Sequence, residues 1–289
     1  MATVIVGLCV GSIFALMACS IVVVHRGTHL VNFAQGEIAA LGVFFYIQWV
    51  VLDGGRPVVA IVAGILIVGV LGLLFGIIAG RMARTGDHLV PLISSFGLFL
   101  ATRSITVGVW GPGEPYQIPP LFGGDGWQLG GELIPFSYLF VLGVSVVCAG
   151  GLYAVARFTT VGLRIRALVE NRDAAEVMGI PTARLQLATW FVGTALAAVA
   201  TFLFFQNNYV VTGSIDSVLI PAFAIAAVGG FEHFGAVVLA SAVYGVGSQL
   251  MSQYLTFAGN DVLSLVILVV LLFLMPRGIL VAKSARYSS

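Results

Sequence analysis

Charged residues are scarce in this chain of 289 residues. Only 9% of the residues are charged whereas 60% are hydrophobic, and the mean hydropathy is +1.08. Soluble globular domains carry about 25% charged residues, so a water-soluble fold could not cover this much apolar surface. The scarcity of charge therefore excludes a soluble domain and predicts an integral membrane protein.

Lysine, cysteine and catalytic motifs are also scarce or missing. The only lysine is Lys283, so the chain has no G-x-x-x-x-G-K-[ST] loop and cannot hydrolyse a nucleotide by that route. Cys9, Cys19 and Cys148 lie in apolar runs without metal-ligand spacing, and we expect buried, unreactive thiols. Without an H-E-x-x-H helix, a Ser-Lys pair or a His/Asp cluster, we expect no catalytic residue, metal or cofactor in this chain. The net charge of +1 argues against a nucleic-acid partner.

Long apolar runs are what the sequence has in place of charge. Seven runs are long enough to cross the hydrocarbon as helices: 2–24, 33–52, 57–80, 89–110, 134–156, 187–205 and 235–255. Two shorter runs, 217–231 and 262–276, are interpreted as a half-helix and a final span. Because no basic residue precedes the first run, it is interpreted as a retained helix rather than a secretory signal. The prediction is one all-α transmembrane domain over residues 1–289 with about eight segments.

Basic residues are distributed unevenly between the loops. Eleven of the 13 lysines and arginines follow the first, third and fifth runs or close the chain, which leaves Arg56 and the intramembrane Arg103. Because cytoplasmic loops are rich in Lys and Arg, we expect the N-terminus outside and the C-terminus in the cytoplasm. This orientation requires run 217–231 to cross the membrane. Loop 111–133, rich in Gly and Pro, is interpreted as an extracytoplasmic cap or docking surface.

Glycines recur at intervals of four residues on two of the predicted helices. Gly72, Gly76 and Gly80 form one such series, and Gly7 and Gly11 form another. Small residues at this spacing lie on one helix face and let a neighbouring helix approach closely. We therefore expect both series to pack against other helices.

Polar side chains enter the second run at its start, where glycines interrupt the helix. Asn32, Gln35 and Glu37 precede a wholly apolar stretch. Two interpretations of Glu37 remain. In the structural one, Glu37 lies near the headgroups or pairs with Arg103 and holds two helices together; in the functional one, it lines a solute path. In the second case Phe33 belongs to the same path.

Residues 217–245 contain a second interrupted stretch, broken by a proline, a Gly-Gly pair and charges. The segments AQGEIAALGVF and AFAIAAVGGFE are weakly alike and enter the membrane from opposite sides in the predicted topology. Inverted repeats with broken helices mark the central path of many transporters. We therefore predict that Phe223 and Ala227 line the path opposite Asn32, Phe33, Gln35 and Glu37.

The long loop 157–186 is predicted to lie in the cytoplasm and to form one or two short helices. Apolar residues recur at helical spacing in it, and Gly179 and Pro181 are predicted to end the helix as a left-handed cap and a breaker. Such an amphipathic helix lies either on anionic lipid or in a groove of a soluble partner. The residue pattern alone does not separate these two.

Three motifs carry a family resemblance: N-F-A-Q-G-E at 32–37, D-A-A-x-x-x-G at 173–179 and L-M-P-R-G-I-L at 274–280. In this order they resemble the branched-chain amino acid permeases (Liv type) of bacterial ABC importers, over about residues 5–282. The second motif is similar to the family's EAA-x-x-x-G loop, with Asp in place of Glu. Gln35 stands where the family usually has His, which points to a divergent substrate.

The resemblance implies an inverted-repeat permease bundle in the bacterial cytoplasmic (inner) membrane that moves branched-chain or other hydrophobic amino acids, or related solutes, inward by alternating access. It implies a second permease subunit, two ATPase subunits that bind ATP and Mg²⁺, and an extracytoplasmic solute-binding protein. It also implies the residues that couple the loop to the ATPases: Glu170, Asp173, Ala174, Ala175 and Gly179. An ion-coupled secondary transporter or a solute channel is the alternative that the broken helices leave open, and urea and amides remain alternative solutes.

Overall fold

The computed structural model describes residues 2–82, 89–119, 125–129, 132–254 and 269. Helices dominate these residues because a chain in lipid must satisfy its backbone hydrogen bonds within itself. The helices are α1 (Ala2–Thr28), α2 (Gln35–Tyr46, continued by a π-helix, Ile47–Leu52), α3 (Pro57–Met82), α4 (Leu89–Trp110), α5 (Phe136–Phe158), α6 (Thr160–Glu170), α7 (Arg172–Val177), α8 (Thr182–Phe205), α9 (Asp216–Val228) and α10 (Phe234–Tyr254). Strands β1 (Gly126–Leu129) and β2 (Glu132–Pro135) complete the described structure.

The predicted membrane segments are confirmed within the described residues. Seven helices there are long and apolar enough to cross a membrane, and α9 is a shorter apolar helix of 13 residues. The fifth span begins at Phe136 rather than at 134, because residues 132–135 form a strand. Run 262–276 lies outside the described residues except for residue 269.

Helix α1 lies at the centre of the bundle. It packs against α5, α8, α9 and α10, and it is the most buried of the seven long helices in the described part of the chain. By contrast, α4 and α5 expose most of their apolar surface. In a membrane protein such a surface faces lipid or another membrane subunit, so the bundle is built inward around α1.

Most of the predicted glycine contacts are confirmed. A Cβ atom on Gly7 would lie 2.7 Å from the Val246 Cα of α10, and one on Gly11 would lie 2.7 Å from the Ser241 carbonyl oxygen. Gly72 and Gly76 of α3 face Thr194 and Trp190 of α8 in the same way. The prediction for Gly80 is wrong for the described part of the chain, where no atom lies within 4 Å of its Cβ position. Gly80 lies one helical turn beyond Gly76, the last glycine of this series that faces α8.

Short contacts fix which ends of the helices lie together. At one end, the Tyr116 and Val210 backbones pair, and the Thr212 hydroxyl donates to the Gly111 carbonyl at 2.9 Å. At the other end, the guanidinium of Arg26 lies 5.3 Å from the ring centre of Phe234, the first residue of α10. Helix α9 therefore leads from the end where α4 finishes to the end where α1 finishes.

Candidate functional site

The described residues contain two candidate sites, an interrupted segment inside the bundle and a helical elbow outside it. The interruption lies between α1 and α2, where residues 29–34 are not helical. His29 takes a positive φ of 55°, and the Asn32 side chain accepts a hydrogen bond from the Ala34 N–H at 3.1 Å. The Phe33 N–H donates to the Ser95 hydroxyl of α4 at 3.4 Å. These side-chain contacts replace the helical hydrogen bonds that the interruption removes.

The first turn of α2 is buried against α1. Gln35 donates from its Nε2 to the Ser20 hydroxyl of α1 at 2.8 Å. Gly36 faces α9, where a Cβ atom would lie 2.8 Å from a Leu219 methyl. The two interrupted segments therefore meet, and the ring centres of Phe33 and Phe223 lie 5.2 Å apart. That these residues line a solute path stays a prediction.

Three charged side chains meet beside this contact. The Arg103 Nη1 of α4 lies 2.6 Å from the Asp216 Oδ2 and 3.7 Å from the Glu37 Oε1. Glu37 is 1% exposed, whereas Arg103 and Asp216 are about one third exposed. Since Arg103 lies seven residues before the end of α4, the cluster is about 10 Å from that end. The pairing of Glu37 with Arg103 was one of the two sequence interpretations, and the structure adds Asp216 to it.

Several polar atoms near the cluster have no hydrogen-bond partner among the described residues. They are the Asn32 Nδ2, the Gln35 Oε1 and the Glu37 Oε1, all on side chains that are at least 98% buried. A buried polar atom without a partner costs free energy unless something else satisfies it. These atoms offer one donor and two acceptors to a polar solute or to water.

A cavity of about 300 Å³ adjoins the charge cluster. Its walls come from the interruption, α4 and α9: Phe33, Phe96, Phe99, Asp216, Leu219, Ile220 and Phe223. Small-molecule sites typically combine a mostly apolar wall with a few polar groups. The cavity fits that description, with one carboxylate among apolar side chains.

The structure places the predicted path residues in two groups. Asn32, Gln35 and Glu37 are buried, whereas Phe33, Phe223 and Ala227 are partly exposed. Sequence reasoning missed Asp216, because an acid after the turn at 211–215 has the appearance of a loop residue. Phe96 and Phe99 were also missed, since phenylalanines three residues apart in an apolar helix do not stand out.

The second candidate site is an elbow formed by α6 and α7 after α5. Thr159 and Asn171 begin the two helices by accepting hydrogen bonds from the N–H groups of Gly162 and Ala174. The predicted apolar stripe is divided at Asn171, and the loop contains two short helices, within the predicted one or two. Gly179 takes a φ of +76°, which confirms the left-handed cap after α7.

The tip of the elbow exposes apolar side chains. Val177 and Met178 are 89% and 77% exposed, whereas Ala175 is 2% exposed. Glu170, Asp173, Ala174 and Gly179 lie on the accessible surface. Ala175 therefore supports the elbow from inside, and the exposed tip offers an apolar contact surface.

Comparisons with known proteins show which family the whole chain resembles. The sequence profile described as "Branched-chain amino acid transport system / permease component" matches residues 3–275. The chain is 28% identical to a high-affinity branched-chain amino acid transport system permease protein of Escherichia coli K12 (LivH), over 95% of this chain and 93% of that protein. A counterpart from Pseudomonas aeruginosa (BraD) is 27% identical over the same shares, and one described as probable from Methanocaldococcus jannaschii is 26% identical over 93% and 88%.

A solved structure supports the fold. An inward-facing ABC transporter of the metal-chelate type superimposes with a TM-score of 0.51 and 18% identity. The match covers 94% of this chain and 82% of that one. At this identity the likeness establishes the helical arrangement alone.

Proposed function

This chain belongs to the family of branched-chain amino acid transport system permease components, and on that premise we propose that it carries branched-chain or similar hydrophobic amino acids inward. It is a membrane transport protein of an ABC system rather than an enzyme. The proposed route runs between the interruption at 29–34 and α9, where the two interrupted segments meet.

The interrupted helices support alternating access along this route. Short helical pieces that end inside a bundle can change their contacts without unfolding a full span. The ring contact between Phe33 and Phe223 closes the space between the two pieces. Separation of these rings would open the route, and Ala227 lies one turn further along α9 on the same route.

The elbow of α6 and α7 is the observation that carries the ABC mechanism. An exposed apolar tip on a charged, capped elbow is costly in water and suits a groove of a partner protein. ATP-driven closure of the partner ATPase would move this elbow and, through α5 and α1, the helices around the route. Glu170, Asp173, Ala174 and Gly179 border the tip and are proposed contacts.

The complete importer contains, in this proposal, two permease subunits, two ATPase subunits that bind ATP and Mg²⁺, and an extracytoplasmic binding protein. It lies in the bacterial cytoplasmic membrane with the elbow in the cytoplasm. The clustering of basic residues at the elbow end of the bundle supports this orientation.

Charged residues at the elbow tip test the docking claim. Val177→Asp with Met178→Asp should abolish ATP-dependent uptake and release the ATPase subunits, because two carboxylates would be buried in an apolar groove. Ala175 is a poor test site, since a larger side chain there would disturb the elbow itself. Co-purification of the ATPase with tagged permease measures the docking directly.

A control places one aspartate on an exposed aromatic residue at the other end of the bundle. Tyr209 is 61% exposed in the segment before α9. Tyr209→Asp should leave ATPase co-purification unchanged. If the Val177→Asp, Met178→Asp variant retains as much ATPase as this control, the proposed docking at the elbow tip is wrong.

The intramembrane charge cluster favours a second candidate, an ion-coupled transporter. Buried carboxylates beside an arginine occur in proton and sodium pathways. Uptake into proteoliposomes separates the two: the ABC mechanism requires ATP on the cytoplasmic face of the permease, which is the lumen of right-side-out proteoliposomes, and needs no ion gradient. Uptake that follows an imposed proton or sodium gradient without ATP would favour the ion-coupled candidate.

A further inference from the structure

The cluster of Arg103, Glu37 and Asp216 contains more negative than positive charge. Two carboxylates face one guanidinium, and both lie within 4 Å of the same Nη1 atom. The Nη1 lies 2.6 Å from Asp216 but 3.7 Å from Glu37, so Glu37 receives no hydrogen bond from it. The Glu37 Oε1 is buried and has no donor among the described residues.

A cationic group would satisfy this unpartnered oxygen and balance the charge. A buried carboxylate is stable only when it is paired and hydrogen-bonded. An ammonium group supplies three N–H donors and one positive charge, which is what the cluster lacks. A neutral amide or urea supplies donors without the charge.

The apolar cavity adjoins the cluster at Asp216. Four phenylalanines with Leu219 and Ile220 form its walls. Its volume of about 300 Å³ is at the lower end of the range for small-molecule sites. A small aliphatic group fits these walls, whereas a polar side chain would lose its hydrogen bonds to water there.

We propose that the cluster and the cavity together form a binding site for the zwitterion of an aliphatic amino acid inside the permease itself. The ammonium group lies between Asp216 and Glu37, and the aliphatic side chain lies among Phe33, Phe96, Phe99 and Phe223. The solute carboxylate binds N–H groups of Arg103, which has five donors and is partly exposed. This site rests on the proposed function and deepens it, because it assigns solute selection to this chain.

Protection of a cysteine in the cavity tests the site in the assembled importer without its binding protein. Ile220→Cys in a Cys148→Ser background places a thiol on the cavity wall, while Cys9 and Cys19 are buried. L-Leucine should slow the reaction of this thiol with N-ethylmaleimide severalfold. 4-Methylpentanoate, which lacks the ammonium group, and 4-methylpentanamide, which lacks both charges, should not slow it.

Charge variants show whether the cluster is responsible. Glu37→Gln and Asp216→Asn keep the side-chain shapes and remove one charge each. Each should raise the leucine concentration for half-protection by about tenfold to a hundredfold, as expected for a lost hydrogen bond to a charged group. Val243→Cys, an exposed position on α10, is the control whose labelling leucine should not change.

The outcomes separate this site from the proposed function. ATP-dependent leucine uptake, measured on the same wild-type complex with its binding protein, tests the function. Uptake without protection at position 220, or equal protection by leucine and 4-methylpentanoate, overturns the site and leaves the function standing. The site is supported if leucine protects position 220 and if Glu37→Gln and Asp216→Asn both weaken this protection. If the site is supported but the wild-type complex takes up no leucine, only the transport proposal fails.

Discussion

Among the described residues, Arg103 is the cation that faces two carboxylates inside the membrane bundle. Arg103 contacts both Asp216 and Glu37, and its guanidinium lies 5.7 Å from the Phe99 ring centre. Charged residues at this depth are expensive and are kept where they pair or serve a function. The sequence showed Glu37 and Arg103 as candidates for pairing, but it could not show that the two also meet an acid 113 residues away from Arg103.

Loss of this arginine should destabilise the bundle. Arg103→Met leaves two carboxylates close together without a cation, and breaking a fully buried pair costs about 3–5 kcal/mol. Because Arg103 and Asp216 are partly exposed, we expect a smaller loss, seen as a fall of about 3–10 °C in the unfolding temperature of the purified complex. Thermal unfolding in detergent measures it.

A second substitution distinguishes charge repulsion from lost packing. Adding Glu37→Gln to Arg103→Met should recover part of the unfolding temperature, because it removes one of the two facing carboxylates. Arg56→Met, at an exposed position before α3, should change the temperature little. A double variant no more stable than Arg103→Met alone would show that the charge explanation is wrong.

At the scale of elements, glycine spacing decides how closely two helices approach. Gly245 of α10 faces Gly7 and Gly11 of α1 with no room for a Cβ atom. Gly80 of α3, also helical, has no atom of the described residues within 4 Å of its Cβ position. The same substitution at these two positions should therefore have opposite effects.

Alanine at each glycine tests the contact between α1 and α10. Gly245→Ala should destabilise the protein by about 1–3 kcal/mol, because backbone atoms of α1 must move away. Gly80→Ala should be neutral or stabilise by up to about 1 kcal/mol through helix propensity. The measurement is the unfolding temperature of each variant in the same detergent, and equal effects at both sites would contradict the packing argument.

Helices and their ends could be predicted from the sequence where residues close together in the chain determine them. Apolar length located the seven long spans, and Gly179 located the end of α7, because both depend on a few neighbouring residues. The pairing of residues 126–129 with 132–135 was not predicted, and the sequence left open whether the elbow has one helix or two, since each depends on which hydrogen-bond partner prevails. The phenylalanine cavity was not predictable either, because its walls come from three separate elements.

For the whole molecule, the direction of α9 decides the topology. If α9 crosses the membrane, the described residues contain eight crossing segments. Eight crossings would leave both termini on one side, so an outside N-terminus with a cytoplasmic C-terminus requires run 262–276 as a ninth. The sequence-based count of about eight did not include that last requirement. Contacts at the two ends of α9 support the crossing. Asp216 lies beside Arg103 near the end of α4, and the ring centres of Phe231 and His25 lie 5.0 Å apart near the end of α1.

Labelling of single cysteines in intact cells should reveal this topology. In a background with Cys9, Cys19 and Cys148 changed to serine, Tyr209→Cys should react with a membrane-impermeant maleimide, because the proposed topology places the segment before α9 outside. Arg172→Cys on the elbow should react only after permeabilisation, since arginine-rich loops stay in the cytoplasm. Glu232→Cys, after α9, decides the crossing: reaction only after permeabilisation supports it. Reaction of both Glu232→Cys and Tyr209→Cys in intact cells would mean that α9 turns back to the outer side, and α10 would then have to start there.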